Sequence, residues 1–136
     1  MDIRALLIVS LTAGASAVSA QGTDPDAGRD IYMSYCVQCH GFEAKGAGPM
    51  AEILAVETPD LTGLAAQNEG VFPTATVAMK IDGRTQILAH GGDMPLFGAF
   101  FDAGRNVTMR MPSGQPIMMS QTLADLVDYL ETLQAQ

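Results

Sequence analysis

The pentapeptide Cys36-Val37-Gln38-Cys39-His40 decides how the rest of this 136-residue chain is interpreted. It is a C-x-x-C-H motif, the pattern typical of covalent attachment of a c-type haem. The two thiols can add across the two vinyl groups of the porphyrin, and the two-residue spacing lets one turn of chain reach both. The histidine can place an imidazole nitrogen on the iron, since histidine is a common axial ligand of haem. The motif therefore predicts one haem c, attached through Cys36 and Cys39, with His40 as an iron ligand.

Three other uses of a C-x-x-C pair fit the chain less well. A structural zinc site needs four ligands, usually from two spaced pairs, but the chain has only two cysteines and two histidines. Cys39 and His40 are also adjacent, which is a poor geometry for zinc. A thioredoxin-like dithiol belongs in a βαβ context, which the sequence pattern does not indicate. A disulfide across two residues would be strained and would stabilise little.

The N-terminus has the pattern of an export signal. An apolar stretch from Ala5 to Leu11 is followed by small residues that end in Val18-Ser19-Ala20, a cleavage site of the A-x-A type. The apolar stretch is too short to span a bilayer as a helix. We expect residues 1–20 to be a signal peptide cleaved after Ala20, which directs the protein to the periplasm. An uncleaved membrane anchor is the alternative.

Residues 21–136 have the length of one small domain. Loss of residues 1–20 removes Arg4 and Asp2, so the formal net charge stays at -8. The haem propionates would add further negative charge. Such an acidic protein is a poor candidate for binding nucleic acid or an anionic membrane surface. We expect a monomer, without stable insertion into a membrane, that docks on a basic patch of a redox partner protein.

Two helices are predicted on either side of the motif. The first covers Asp26 to Tyr35, with Asp24 or Asp26 as its cap and Pro25 in its first turn. Gly28 weakens this helix, so close approach of another backbone is its expected use. The second covers residues 74–82, with Thr74 as N-cap and Gly83 as its end. Between them, residues 41–49 form a glycine-rich loop, and residues 58–62 start a turn or a short helix.

The last third of the chain changes its periodicity. Apolar residues alternate with polar ones on both sides of the turn Pro112-Ser113-Gly114-Gln115, which predicts a β-hairpin. Ser120 or Thr122 then caps a final helix with an apolar stripe suited to core packing. The alternating apolar residues are Val107, Met109, Met111, Ile117 and Met119, and the stripe consists of Leu123, Leu126, Val127, Leu130 and Leu133.

With these elements in place, the chain resembles the class I mono-haem cytochromes c from Gly28 to Leu133, which is nearly all of the expected mature chain. The resemblance implies an all-α fold wrapped around one covalent haem, in which the first and last helices cross near Gly28. The predicted hairpin is then an insertion before the C-terminal helix. The motifs that carry the resemblance are Gly28-x-x-Ile31-Tyr32 ahead of Cys36-x-x-Cys39-His40, Gly46-x-Gly48-Pro49, Met94-Pro95 and Leu126-Val127-x-Tyr129-Leu130.

The second axial ligand is a choice among three side chains. Met94 lies between Gly91-Gly92-Asp93 and Pro95, a loop-like setting that can present a thioether, and the resemblance places the family's distal ligand there. Met111 is also followed by proline, but the alternation of the predicted hairpin already accounts for it. His90 would give bis-histidine ligation, although a surface position accounts for it as well. We expect Met94 to lie opposite His40.

Further residues are expected to contact the haem or its ligand. A metal-bound histidine usually donates its other N–H to a fixed acceptor, and the resemblance implies that the carbonyl of Pro49 is that acceptor. Arg84 follows the end of a predicted helix and would suit a haem propionate, because its fork fits a carboxylate; a solvated surface position fits equally well. Phe72 and Phe97 would pack on the porphyrin, or in the core or at the surface without contact to the haem.

These features together predict an exported one-electron carrier of a respiratory or other redox chain. No Ser/His/Asp set, glycine-rich phosphate loop or recognisable acidic pair indicates an enzyme, and an iron with both axial positions filled has no open site for a substrate. One alternative is a haem-based sensor, in which Met94 dissociates and a small gas binds. Another is a haem subunit of a larger periplasmic oxidoreductase, with the methionine-rich hairpin as its contact face.

Overall fold

The helices and strands described below come from a computed structural model, which describes residues 22–83, 94–102 and 104–135. The predicted signal peptide, residues 1–20, lies outside the described residues. The elements follow in chain order: α1 (Pro25–Tyr35), α2 (Val37–His40), a 3-10 helix (Ala51–Ile53), a second 3-10 helix (Ala66–Asn68), α3 (Thr74–Asp82), α4 (Gly98–Phe101), β1 (Asn106–Arg110), β2 (Pro116–Ser120) and α5 (Gln121–Thr132).

Helix α1 begins at a side-chain cap that was one of the two predicted. The carboxylate of Asp24 accepts hydrogen bonds from the backbone N–H groups of Asp26 and Ala27, at 3.0 and 3.3 Å, and Pro25 occupies the first helical position. These bonds satisfy N–H groups that have no partner within the helix. The predicted helix is confirmed, with Asp24 rather than Asp26 as its cap.

Helices α1 and α5 cross where the sequence provides a glycine. A Cβ atom on Gly28 would collide with the backbone carbonyl of Asp125 and lie 2.8 Å from the Cβ of Tyr129. The rings of Tyr32 and Tyr129 meet nearby, with centroids 5.6 Å apart. Tyr32 and Leu126 have no exposed surface at all, which places the centre of the core at this crossing. The predicted crossing of the first and last helices near Gly28 is confirmed.

The predicted β-hairpin is also confirmed. Strands β1 and β2 pair antiparallel, with Val107 opposite Met119 and Met109 opposite Ile117. Val107 and Met119 are buried, whereas Met118 on the other face is 63% exposed. One face of the hairpin therefore packs against the core, as alternation at period two requires. The strand leads directly into α5, where the hydroxyl of Ser120 caps the helix by accepting from the N–H of Leu123 at 3.3 Å.

Helix α3 covers the predicted residues, but its N-cap is not the predicted one. Pro73 occupies the cap position and Thr74 is the first helical residue. The hydroxyl of Thr74 points back to the carbonyl of Phe72, at 3.5 Å, and leaves the helix start without a side-chain cap. Gly83 ends the helix as expected, because its φ of +91° is a left-handed conformation that favours glycine.

The described residues thus form a helical domain with one small two-stranded antiparallel sheet. Helix α4 was not predicted, since a four-residue segment is too short to show a helical period. Within residues 22–83, 94–102 and 104–135, none of the helices combines the length and the apolar composition needed to cross a bilayer.

Candidate haem attachment site

The C-x-x-C-H motif forms a single turn at the end of α1. Cys36 follows the last residue of α1 and precedes α2, and its carbonyl accepts from the N–H groups of Cys39 and His40, at 3.1 and 2.9 Å. The turn therefore holds both sulfurs and the imidazole in one short rigid unit. Neither cysteine takes part in a disulfide; Cys36 is buried and Cys39 is half-buried. Burial, with a smaller contribution from Cys39, raises the pKa of the Cys36 thiol to about 12, so before haem is attached this group is neutral at pH 7.

A buried tyrosine fixes the end of the motif. The hydroxyl of Tyr32 donates to the backbone carbonyl of Gly41 at 2.6 Å. Tyr32 belongs to α1 and Gly41 follows His40, so this bond closes the motif against the helix that precedes it. Burial raises the pKa of Tyr32, and the phenol remains a donor throughout the physiological range.

The chain after the motif folds back along it, and we call residues 41–61 the proximal loop. Its backbone N–H groups at Gly46, Gly48 and Met50 donate to the carbonyls of His40, Cys39 and Gln38, at 2.9, 3.0 and 2.8 Å. These carbonyls would otherwise lack partners at the end of a helix. A Cβ on Gly48 would collide with the backbone of α2, so glycine is required for this approach. The proximal loop is thus fixed to the motif by backbone contacts.

His40 meets the carbonyl of a proline, but not of the predicted one. Its Nδ1 lies 3.3 Å from the carbonyl oxygen of Pro59. Since a carbonyl can only accept, Nδ1 carries the proton and Nε2 keeps its lone pair. Burial lowers the pKa of His40 below its ordinary value of 6.5, and the Pro59 contact partly offsets this shift. The neutral ring is therefore in the tautomer that can bind a metal through Nε2.

The expected acceptor Pro49 is therefore corrected to Pro59. The neighbours of Pro49, Gly48 and Met50, bond to backbone carbonyls of α2, which holds this stretch against the helix backbone. The turn that contains Pro59 reaches the imidazole of His40 instead. It is held there because the N–H of Leu61 donates to the carbonyl of Ala44 at 2.7 Å.

A local turn stabilises the segment that carries Pro59. The carboxylate of Asp60 accepts from both the N–H and the hydroxyl of Thr62, each at 2.7 Å. These two hydrogen bonds hold the pKa of Asp60 below its usual value of 3.8. This arrangement is an Asx turn, in which an aspartate bonds to the backbone two residues ahead.

The segment that carries the predicted distal ligand, residues 94–101, is here called the distal segment. Met94 is half-buried and packs against the core cluster. The backbone N–H of Phe97 donates to the carbonyl of Ile81 at 3.0 Å, which ties the segment to the end of α3. The Phe97 ring stacks on that of Phe101, with centroids 5.2 Å apart.

The other residues proposed from the sequence fall in different places. Arg84 and His90 lie outside the described residues. Phe72 is buried in the core. Met111 closes the turn of the hairpin through backbone bonds to Gln115 and Gly114, as expected of a residue explained by the hairpin.

A protein-family model covers most of the chain. The family model described as Cytochrome c matches residues 25–134. The chain belongs to the cytochrome c family. Its cofactor is covalently attached haem c, and the function of the family is haem-based electron transfer between redox partners. Neither the comparison with curated proteins nor that with solved structures found a match.

The donor set of this cytochrome fits that cofactor. Two cysteine sulfurs outside any disulfide and an imidazole with an available Nε2 lie on one helical turn, which is the set that two thioethers and one bond to iron require. The described part of the chain contains no group of three or more His, Cys, Asp or Glu side chains arranged to hold a metal ion. The two sulfurs and the imidazole on one turn suit a porphyrin tether.

Two residues of this cytochrome were missed by reasoning from the sequence. Pro59 was treated only as part of a turn, although it is the second proline after the motif and was open to the same reasoning as Pro49. Tyr35 was predicted only as the last residue of the first helix, yet its ring contacts three phenylalanines of the distal segment. Its position directly before Cys36 was the available signal.

Proposed function

We propose that this cytochrome is an exported one-electron carrier whose haem c is tethered by Cys36 and Cys39 and ligated by His40 and Met94. The observation that carries the proposal is the contact between His40 Nδ1 and the carbonyl of Pro59, which leaves Nε2 for the iron. When bound, the haem supplies a couple of Fe(III) and Fe(II). Everything else is done by side chains that hold, orient and shield it.

The proximal side would keep one geometry in both oxidation states. Cys36 and Cys39 make the attachment permanent, and the hydrogen bond from His40 Nδ1 fixes the orientation of the ring and raises its basicity as a ligand. The backbone bonds of the proximal loop oppose any movement of the motif. Small rearrangement between oxidation states is what fast electron transfer needs.

Met94 would supply the second protein ligand to the iron. A thioether stabilises Fe(II) relative to a second nitrogen ligand, so His/Met ligation raises the reduction potential. With both positions filled, no substrate has access to the metal, which favours a carrier over an enzyme. Met94 packs against the core rather than projecting into solvent, as a ligand to a buried group should.

The negative charge of the chain and its expected export indicate what kind of redox partner it meets. The formal net charge of -8 favours a redox partner with a basic docking surface, and electrostatic steering speeds such an encounter. We place the mature protein, residues 21–136, in the periplasm as a monomer, after cleavage of residues 1–20. Docking between carriers of this kind is brief and weakens as salt is added.

The test is the ligand spectrum of haem-loaded protein. Wild-type protein should show the charge-transfer band of a thioether bound to Fe(III), Met94→Ala should lose it, and the matched variant Met111→Ala should keep it. Survival of the band in Met94→Ala would refute the assignment of the ligand.

Carbon monoxide separates the carrier from a gas sensor. The ferrous spectrum of a carrier should stay unchanged when the gas is added, whereas a prompt change would favour a sensor in which Met94 dissociates. A reversible one-electron titration completes the test, because a carrier must recover its full thioether band each time the iron is reoxidised to Fe(III).

A further inference from the structure

Four aromatic rings form a continuous cluster between α1 and the distal segment, and we call them the aromatic cluster: Tyr35, Phe97, Phe100 and Phe101. The Tyr35 ring lies 6.3 Å from Phe97, 5.1 Å from Phe100 and 5.7 Å from Phe101, in each case edge to face. The rings of Phe97 and Phe101 stack at 5.2 Å. Tyr35 is the one member from α1, so it joins the two elements.

The aromatic cluster lies between the residue that carries the first haem tether and the residue proposed as the distal ligand. Tyr35 is bonded directly to Cys36, the first tether, and Phe97 follows Met94 by three residues. On its other side, the distal segment is tied to α3 by the bond from Phe97 N–H to the carbonyl of Ile81. Phe97 is thus held by a backbone bond on one side and by rings on the other, and its position limits that of Met94.

We propose that Tyr35, through the aromatic cluster, is a positioning residue that holds the Met94 thioether on the haem iron. This inference rests on the proposed function, in which Met94 is the ligand. Edge-to-face and stacked ring contacts add attraction beyond the apolar area they bury. Removing the central ring loosens the distal segment and raises the fraction of protein in which Met94 is dissociated.

The consequence is measurable with imidazole as an external ligand to Fe(III). Imidazole binds only when Met94 has left, so its apparent affinity rises with the dissociated fraction. Tyr35→Ala removes three ring contacts and should bind imidazole roughly tenfold more tightly than wild type, with a weaker thioether band. Tyr35→Phe keeps the ring and should match wild type. The reduction potential should fall in Tyr35→Ala and stay unchanged in Tyr35→Phe.

Two further variants keep the test decisive. Phe100 is 60% exposed, so Phe100→Ala should fold even if Tyr35→Ala does not, and it should tighten imidazole binding to a smaller degree. Tyr129→Ala is the matched control, because it removes an aromatic ring that contacts Tyr32 at the helix crossing and lies outside the cluster. It should lower the thermal midpoint and leave imidazole affinity unchanged.

Met94→Ala separates failure of the inference from failure of the proposed function. If Met94→Ala binds imidazole far more tightly than wild type while the cluster variants equal wild type, Met94 is the ligand and the aromatic cluster does not position it. The positioning role is likewise overturned if Tyr129→Ala tightens binding as much as Tyr35→Ala. If Met94→Ala equals wild type, the ligand assignment fails and the inference fails with it.

Discussion

The proximal loop and the distal segment are fixed by different kinds of contact. Three backbone hydrogen bonds tie the proximal loop to α2, and two glycines let its backbone lie where no side chain would fit. The distal segment meets α3 through the backbone bond of Phe97 and the close approach of Gly98 to Asp82, and it meets α1 through aromatic side chains. Backbone contacts leave little freedom, whereas packed rings can shift and repack.

This difference matches the two ligands that these segments would support. An imidazole on a rigid loop suits a ligand that never leaves the iron. A thioether on a segment held by side chains is a ligand whose binding the rest of the protein can tune. The reduction potential and the ligand exchange of this cytochrome should therefore be sensitive to changes on the distal side.

The largest expected effect is the loss of His40. His40→Ala should keep its haem, since the thioethers remain, but lose the low-spin spectrum in both oxidation states and about 4 kcal/mol or more of unfolding free energy. Met94→Ala, the matched distal change, should lose the thioether band with a smaller decrease in stability. Equal losses in the two variants would contradict the asymmetry between the two sides.

The rigidity of the proximal loop is tested at Gly46. This residue has a φ of +78°, and a Cβ there would collide with the backbone carbonyl of Thr58. Gly46→Ala should cost about 3 kcal/mol of unfolding free energy, from backbone strain and from a collision with atoms that cannot rotate away. Gly70→Ala is the control, because Gly70 has a φ of +81° but open space around it. Its expected cost is about 1 kcal/mol, and similar values for the two variants would exclude a rigid contact at Gly46.

The adjustable character of the distal side is tested at Gly83. Here a Cβ would meet the side chain of Leu96, which lies two residues after Met94 and can change rotamer. Gly83→Ala should therefore cost about 1–2 kcal/mol, less than Gly46→Ala. It should also raise the affinity of Fe(III) for imidazole, whereas Gly46→Ala should not. The contrast between the two sides would be contradicted if Gly46→Ala raised the affinity for imidazole and cost less stability than Gly83→Ala.

The smallest effect concerns acid and the Asx turn of the proximal loop. The pKa of Asp60 is depressed by its bonds to Thr62, so the stabilisation is present above the ordinary value of 3.8 and is lost as the pH falls through the lower folded value. The difference in unfolding free energy between wild type and Thr62→Val should thus shrink below pH 3.8. Thr132→Val is the control, since its hydroxyl donates to a carbonyl that does not titrate. A difference for Thr62→Val that stays constant with pH would contradict this assignment.

The sequence predicted best those elements that local chemistry decides. Helix α1 has its cap at Asp24, the hairpin has a period-two pattern around Gly114, and α5 follows its cap at Ser120. Each of these signals lies within a few residues of the structure that it specifies. Gly28 was also interpreted correctly, because a glycine inside a helix suggests a close contact.

What the sequence did not predict depends on contacts between distant residues. Pro59 reaches His40 because Leu61 bonds to Ala44, and no pattern within either segment indicates that bond. Tyr35 is recognised as part of a cluster only after α4 is placed beside α1. At the start of α3, Pro73 occupies the N-cap position that was predicted for Thr74. A residue type that often caps helices therefore does not by itself ensure a cap.

The central claim is that Cys36 and Cys39 carry the haem, and peptide mass mapping of protein made in a cell able to attach haem c tests it most directly. We predict that the peptide containing residues 36–40 carries one haem after denaturation and that neither thiol reacts with an alkylating reagent. A colourless protein of unmodified mass, with both thiols alkylated, would contradict it.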